Sequence, residues 1–148
     1  MRKIEDIQEL RQIQMGILDE VHRFCEAHGL RYFLSSGTLI GAVRHKGYIP
    51  WDDDIDIYMP RKDYEEFLQT YISDSGHYRA INPQTEQHYY YTFAKVVDLR
   101  TRMVEKETAG YEIGVYMDIF PVDFVTDDLQ ERERIFKKKK LLYKIRRC

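Results

Sequence analysis

Between residues 4 and 27, apolar side chains fall at Ile4, Ile7, Leu10, Ile17, Val21, Phe24 and Cys25. This spacing predicts an amphipathic helix with one buried face. His28-Gly29 ends the run, and Gly29 suits the left-handed residue that closes a helix. Tyr32-Phe33-Leu34 predicts a short buried strand that breaks at Ser35-Ser36-Gly37, and residues 38–43 predict a brief helix. Pro50-Trp51-Asp52-Asp53-Asp54-Ile55-Asp56-Ile57-Tyr58 then runs into an apolar strand. After Pro60, Tyr64, Phe67, Leu68 and Tyr71 lie at helical spacing within residues 61–72, and Ser73-Asp74-Ser75-Gly76 marks a turn. Residues 77–81, 90–98 and 113–120 read as strands, with a weaker one at 102–105. Pro121 is expected to stop the last strong run, and Asp127, three residues before Gln130, to cap a final helix. This order of elements predicts an α+β domain, its mixed or antiparallel sheet flanked by helices. The chain of 148 residues has the length of one domain.

The acidic run changes the picture most. Alternation along a strand sends Asp52, Asp54 and Asp56 to one face, and Asp53, Ile55 and Ile57 to the other. Three like charges backed by buried isoleucines call for a positive partner. All-oxygen ligands favour Mg²⁺, Mn²⁺ or Ca²⁺ over zinc. A solvated charge run is the competing account.

Upstream, Ser35-Ser36-Gly37-Thr38 is a strand-to-helix turn whose small residues let backbone N–H groups approach an anion at a helix start. A phosphate cradle followed by Asp-Ile-Asp on a strand is more specific than either part, and it suits a pyrophosphate held over a metal ion. Asp118, in Val115-Tyr116-Met117-Asp118-Ile119-Phe120-Pro121, is a lone charge in an apolar strand. It is the candidate third carboxylate, to complete the ligand shell and to take a proton from an acceptor hydroxyl. A buried ion pair is the alternative explanation for it.

Composition and charge narrow the partners. Hydrophobic content of 43% with 32% charged residues predicts a soluble globular protein, and a formal charge of −2 argues against a general nucleic-acid binder. The charge is uneven, because Lys137 to Lys140 with Lys144, Arg146 and Arg147 make the tail basic. That tail reads as a solvated helix face, with docking on anionic lipid as the alternative. Cys25 and Cys148 have no metal-type spacing, and no leader or membrane-length apolar run is visible. A cytoplasmic setting, at the inner face of the membrane if the tail docks there, is the expectation. Tyr89-Tyr90-Tyr91, beside His88 and Phe93, reads as packing, with an aromatic cage for a quaternary ammonium as the alternative. His45 reads as a surface residue.

The continuous stretch from Tyr32 to Asp56 closely resembles the LicD family signature, as do Ala94-Lys95-Val96-Val97-Asp98 and Asp118-Ile119-Phe120-Pro121-Val122-Asp123. The resemblance covers most of residues 5–125. It implies a nucleotidyltransferase-like fold, similar to the fukutin-type transferases. It also implies transfer of a phosphorylated alcohol, most often phosphocholine, from a CDP-activated donor such as CDP-choline. The acceptor would be a hydroxyl of a cell-surface glycan of the teichoic acid, lipopolysaccharide or capsule type, with Mg²⁺ or Mn²⁺ as cofactor. Position by position, it makes Asp54 and Asp56 the metal-binding pair and Asp118 the third carboxylate, with Asp52 a further candidate ligand. Ser36 and Gly37 match the phosphate-contacting turn. Arg44 and Lys95 match basic positions expected to meet donor phosphates. Family members usually continue past the Asp-Ile-Phe-Pro block, so the chain is expected to lack a C-terminal portion. The alternatives are transfer of the NMP itself, or a nucleotide- or glycan-binding module without turnover.

Overall fold

Helix α1 (Ile7–His28) begins where the Asp6 carboxylate accepts from the Gln8 N–H at 2.9 Å, leaving Ile4 outside. It ends at Gly29, whose φ of 67° is the left-handed conformation expected there. The computed structural model describes residue 4 and residues 6–87, 89–104 and 112–146. The remaining elements are β1 (Phe33–Leu34), α2 (Ser36–His45), β2 (Asp56–Pro60), α3 (Arg61–Thr70), β3 (Tyr78–Ile81), β4 (Ala94–Asp98), β5 (Met103–Val104), β6 (Glu112–Ile113), β7 (Tyr116–Val122) and α4 (Leu129–Arg146).

Five strands form one sheet in the order β1-β2-β7-β4-β3, and β5 pairs with β6 separately. Only β2 and β7 run parallel; the other pairs of the large sheet are antiparallel. The fold is therefore α+β with a mixed sheet, as expected. The alternation of β2 and β7 turns Ile57, Met59, Met117 and Ile119 toward one side. There they join Ile55, Ala94 and Val96 against Ile17, Val21, Phe24 and Cys25 of α1 and Tyr64 and Phe67 of α3. All are buried, so this face holds the core. Asp56 and Asp118 point to the other face.

Several boundaries differ from the sequence pattern for identifiable reasons. Helix α2 starts two residues earlier than the apolar spacing implies, at Ser36. Strand β4 starts only at Ala94, because Tyr89, Tyr90, Tyr91 and Phe93 contact one another ring to ring rather than entering the ladder. Pro121 lies inside β7 instead of stopping it. The Asp118 N–H donates toward β2, at 2.9 Å to the Ile55 carbonyl, so Pro121 turns its missing N–H to the β4 side. Pairing with β4 has already ended at Ile119. Asp128, not Asp127, caps α4, its Oδ1 accepting from the Gln130 and Glu131 N–H groups at 2.8 and 3.0 Å. His88, Arg147 and Cys148 lie outside the described residues.

Along α4, Lys137 to Lys140 are exposed and Glu133 pairs with Lys137 at 3.0 Å. Among the described residues, no helix is long and apolar enough to cross a membrane.

Helix α2 packs beside β2, and the loop that follows it folds back over Gly41, which is buried. A Cβ at Gly41 would run into the Gly47 carbonyl oxygen and meet the Ile49 nitrogen at 3.0 Å. Backbone cannot yield as a flexible side chain can. Gly41→Ala is expected to lower stability by about 1–3 kcal/mol despite its better helix propensity, read as a lower urea midpoint; an unchanged midpoint contradicts the close approach.

Candidate functional site

Register across the sheet sets the centre of the site. Asp56 on β2 lies opposite Asp118 on β7, and Asp118 lies opposite Lys95 on β4. Three charged side chains thus form one row across three neighbouring strands, on the face away from the core. Lys95 Nζ donates to Asp118 Oδ1 at 2.7 Å; Lys95 is 1% exposed and the Asp118 side chain 13%. The same ammonium lies 3.4 Å from the Tyr116 ring centroid, 4.3 Å from that of Tyr91 and 5.3 Å from that of Phe93. Tyr91 and Phe93 therefore surround a cation, and that cation is the protein's own.

Asp52 and Asp54 reach the row from the segment preceding β2. Their carboxylate oxygens, with those of Asp53, lie within 4.8 Å of one another. Strand parity put Asp53 on the opposite face, but residues 52–55 precede the ladder, so strict alternation does not bind them. Parity does hold from Asp54 onward, with Ile55 and Ile57 buried and Asp54 and Asp56 partly exposed.

The electrostatics follow from this crowding. Burial, then the charges of Asp56, Asp52 and Asp53, raise the Asp54 carboxyl from 3.8 to about 6. Asp118 is also pushed up to about 6, because burial outweighs the opposing pull of Lys95. Burial raises Asp56 as well, against a hydrogen bond from the Ser36 hydroxyl. The Asp52 Oδ2 atom is buried without a hydrogen-bond partner among the described residues.

The Ser36-Gly37 turn abuts these carboxylates. Ser36 takes a φ of 47°, strained for a residue with a Cβ. Gly37 sits where a Cβ would run into the Asp52 carboxylate. Ser35 precedes α2 but makes no side-chain cap, and its Oγ is buried without a partner among the described residues. The first N–H groups of α2 therefore have no side-chain acceptor from Ser35 beside the acidic cluster. Asp56 is tied to this turn twice: its carbonyl accepts from the Ser35 N–H at 3.0 Å, and its N–H donates to Thr38 Oγ1 at 2.9 Å.

The structure thus brings Asp52, Asp54, Asp56, Asp118, Ser36 and Gly37 together. Lys95 joins through Asp118, away from the turn. Arg44 is exposed on α2, eight residues beyond Ser36 and so about 12 Å along the helix axis.

Sequence reasoning missed the clamp behind the acidic segment. Arg11 is 9% exposed. Its guanidinium donates to the carbonyls of Ile49 (2.9 Å), Pro50 (2.9 Å) and Asp52 (2.6 Å). Its Cζ lies 4.9 Å from the Tyr48 ring centroid. Gln14 Nε2 donates to the Asp53 carbonyl at 2.8 Å, while its Oε1 accepts from the Tyr48 hydroxyl at 3.0 Å. The signal was present: Gln14 falls on the buried stripe between Leu10 and Ile17, where an amide needs a partner.

Comparison with known proteins finds relatives over most of the chain. Residues 29–146 match the family described as LicD/FKTN/FKRP, nucleotidyltransferase domain. The chain is 37% identical over 130 residues to the lipopolysaccharide cholinephosphotransferase LicD of Haemophilus influenzae, covering 86% of this chain and 48% of that protein. It is 56% identical over 51 residues to the human ribitol 5-phosphate transferase FKRP, covering 34% of this chain and 10% of that protein. The chain therefore spans about half the length of the LicD relative. No solved structure matches it.

Two outcomes test the geometry. Arg11→Leu leaves three backbone carbonyls without their donor and is expected to cost about 2–3 kcal/mol in urea denaturation, with Arg11→Lys recovering only part. Full stability in Arg11→Leu contradicts the clamp. Asp54 and Asp118, held near 6 against about 3.9 in an unfolded chain, bind protons more tightly folded than unfolded. The metal-free protein should therefore gain stability as pH falls from 7.5 to about 5. The gain is on the order of 1–2 kcal/mol, carried mainly by Asp118 because solvent screens the more exposed Asp54. A lower Tm in EDTA at pH 5 than at pH 7.5 contradicts this.

Proposed function

The chain belongs to the LicD/FKTN/FKRP nucleotidyltransferase-domain family, and we propose that it is a LicD-type phosphotransferase. It moves a phosphorylated alcohol, phosphocholine first, from a CDP-activated donor to a hydroxyl of a lipopolysaccharide-type glycan. The observation that carries this reading is the cluster of Asp52, Asp53 and Asp54 carboxylates beside a helix start at Ser36-Gly37 that Ser35 does not cap, within electrostatic reach of the paired Asp56 and Asp118. The names of the relatives support the class of reaction, since cholinephosphotransferase and ribitol 5-phosphate transferase both describe movement of a phosphorylated alcohol.

The residues fit a hard divalent cation, Mg²⁺ or Mn²⁺. Every donor is a carboxylate oxygen, Asp52 Oδ2 is buried without a partner among the described residues, and burial with the neighbouring carboxylates raises Asp54 and Asp118. Asp54, Asp56 and Asp118 would hold it, with Asp52 as a further ligand. Such an ion supplies neutralisation of charge on the transferred phosphoryl group and its leaving group.

The chain's own residues supply binding and proton transfer. The N–H groups that open α2 receive a donor phosphate, favoured by the positive end of the helix. Arg44, exposed on the same helix, is the cation proposed to meet the outer part of the donor. Asp118, at the edge of the acidic row, takes the proton of the acceptor hydroxyl. The acceptor oxygen bonds to the phosphorus that carries the alcohol, the phosphoanhydride bond breaks, and CMP leaves.

Incubation with CDP-choline, Mg²⁺ and lipopolysaccharide should release CMP and incorporate choline. Incorporation of CMP into the glycan instead shows nucleotidyl transfer, and binding without turnover shows a non-catalytic module. Asp54→Asn or Asp56→Asn should lower transfer about 10³-fold, while the metal-free variants melt no lower than the parent because like-charge repulsion has been relieved. Near-normal transfer by either variant overturns the metal assignment.

A further inference from the structure

We propose that Lys95 is the built-in counter-ion of Asp118 and acts on the reaction chiefly through it, as a positioning residue rather than a phosphate ligand. This rests on the reading above, in which Asp118 completes a metal-binding carboxylate set. The register argues for it. Asp56 is the residue whose backbone is tied to the turn, at Ser35 and Thr38; Asp118 is one strand away from it, and Lys95 is two. Neighbouring strands lie about 4.8 Å apart, so the Lys95 backbone stands about 10 Å from that of Asp56, with Asp118 between. A phosphate seated on the turn would be on the far side of Asp56 from Lys95.

The surroundings of the ammonium hold it there. Lys95 is 1% exposed, its Nζ bonds Asp118 Oδ1 at 2.7 Å, and the Tyr116, Tyr91 and Phe93 rings lie around it at 3.4, 4.3 and 5.3 Å. A compact ammonium packed against ring faces is stabilised in place by their negative quadrupoles, and swinging it toward the cluster would forfeit those contacts. Two consequences follow. Asp118 Oδ1 is taken by Lys95, so Oδ2 is the oxygen left to face Asp54 and Asp56. The charge of Asp118 is also partly matched inside the protein, so the site attracts an external cation less strongly than four bare carboxylates would.

This arrangement gives a result opposite in sign to that of an ordinary ligand mutation. Lys95→Met should bind Mn²⁺ about tenfold more tightly than the parent in the absence of donor, measured by electron paramagnetic resonance of free Mn²⁺, while transfer falls. Lys95→Arg, which keeps the charge and a donor, should bind Mn²⁺ within about threefold of the parent. In an Asp118→Asn background, the gain from Lys95→Met should shrink to less than threefold, because the group through which Lys95 acts is gone. If Lys95→Met does not fold, Lys95→Gln takes its place, keeping a neutral donor toward Asp118. Unchanged or weaker Mn²⁺ affinity in the folded Lys95 variant overturns the proposal, as does an equal gain in the Asp118→Asn background. Absence of Mn²⁺ binding in every protein, parent included, instead overturns the metal reading and this inference with it.

Discussion

The parallel register of β2 on β7 is the constraint from which the rest of the site follows. Ile57 and Met59 on one strand, and Met117 and Ile119 on the other, must all face α1 and α3. A slip of one residue would turn the pair on one strand outward and bring its Asp56 or Asp118 into the core. Full burial of two such side chains stabilises by roughly 3–6 kcal/mol, and burying a carboxylate without a partner costs more still. Two like charges about 5 Å apart at an effective dielectric near 20 repel by about 3 kcal/mol. The core therefore fixes the register, and the register forces Asp56 beside Asp118 despite their repulsion.

The acidic face is maintained because the cations nearby are committed elsewhere. Arg11 lies directly behind the acidic segment, yet it donates to the backbone carbonyls of Ile49, Pro50 and Asp52. It thus fixes where the carboxylates stand without neutralising them. Lys95 bonds Asp118 directly and its charge also reaches Asp56, from the side away from the turn. Ser36 contributes one hydroxyl to Asp56 from a strained backbone. Such strain persists only where surroundings over-determine it, and here the two backbone bonds of Asp56 to the turn do so. The stability of the domain resides on the other face of the sheet, leaving this face under-compensated in charge.

Much of this was legible in the sequence, for physical reasons that differ by element. Helices α1 and α3 and strands β2 and β7 have one apolar side, so their periodicity reports both type and buried face. The orientation of Asp54 and Asp56 against Ile55 and Ile57 follows from the same alternation. Asp53 escaped it because alternation is enforced only within a hydrogen-bonded ladder, which begins at Asp56. Pro121 was read as a stop because the side to which its nitrogen faces depends on where β4 ends, a non-local fact. The pairing of Lys95 with Asp118 is likewise non-local. A lone charge in each of two apolar strands hinted at a partner for each, but only the antiparallel register of β4 on β7 identifies them as partners of one another. Arg11 and Gln14 were overlooked because helical periodicity ranks apolar positions, and their work is done by polar groups on the buried stripe.

The contiguity of the strongest sequence signature has a structural cause. The chain leaves the sheet at Ser35 and returns at Asp56, and both backbone polar groups of Asp56 bond to residues at the point of departure. Between those ends, α2 packs beside β2, Gly41 lets residues 47–49 fold back over the helix, and Asp52 settles against Gly37. The segment from Ser35 to Asp56 is thus one excursion closed by the backbone groups of Asp56, and it sets the start of α2 against Asp52, Asp54 and Asp56. Asp118 and Lys95 arrive from elsewhere in the chain, and their positions rest on strand register alone. The candidate site therefore joins a locally encoded half, the one proposed to bind phosphate, to a globally encoded half, whose geometry is no better than the packing of the core beneath it.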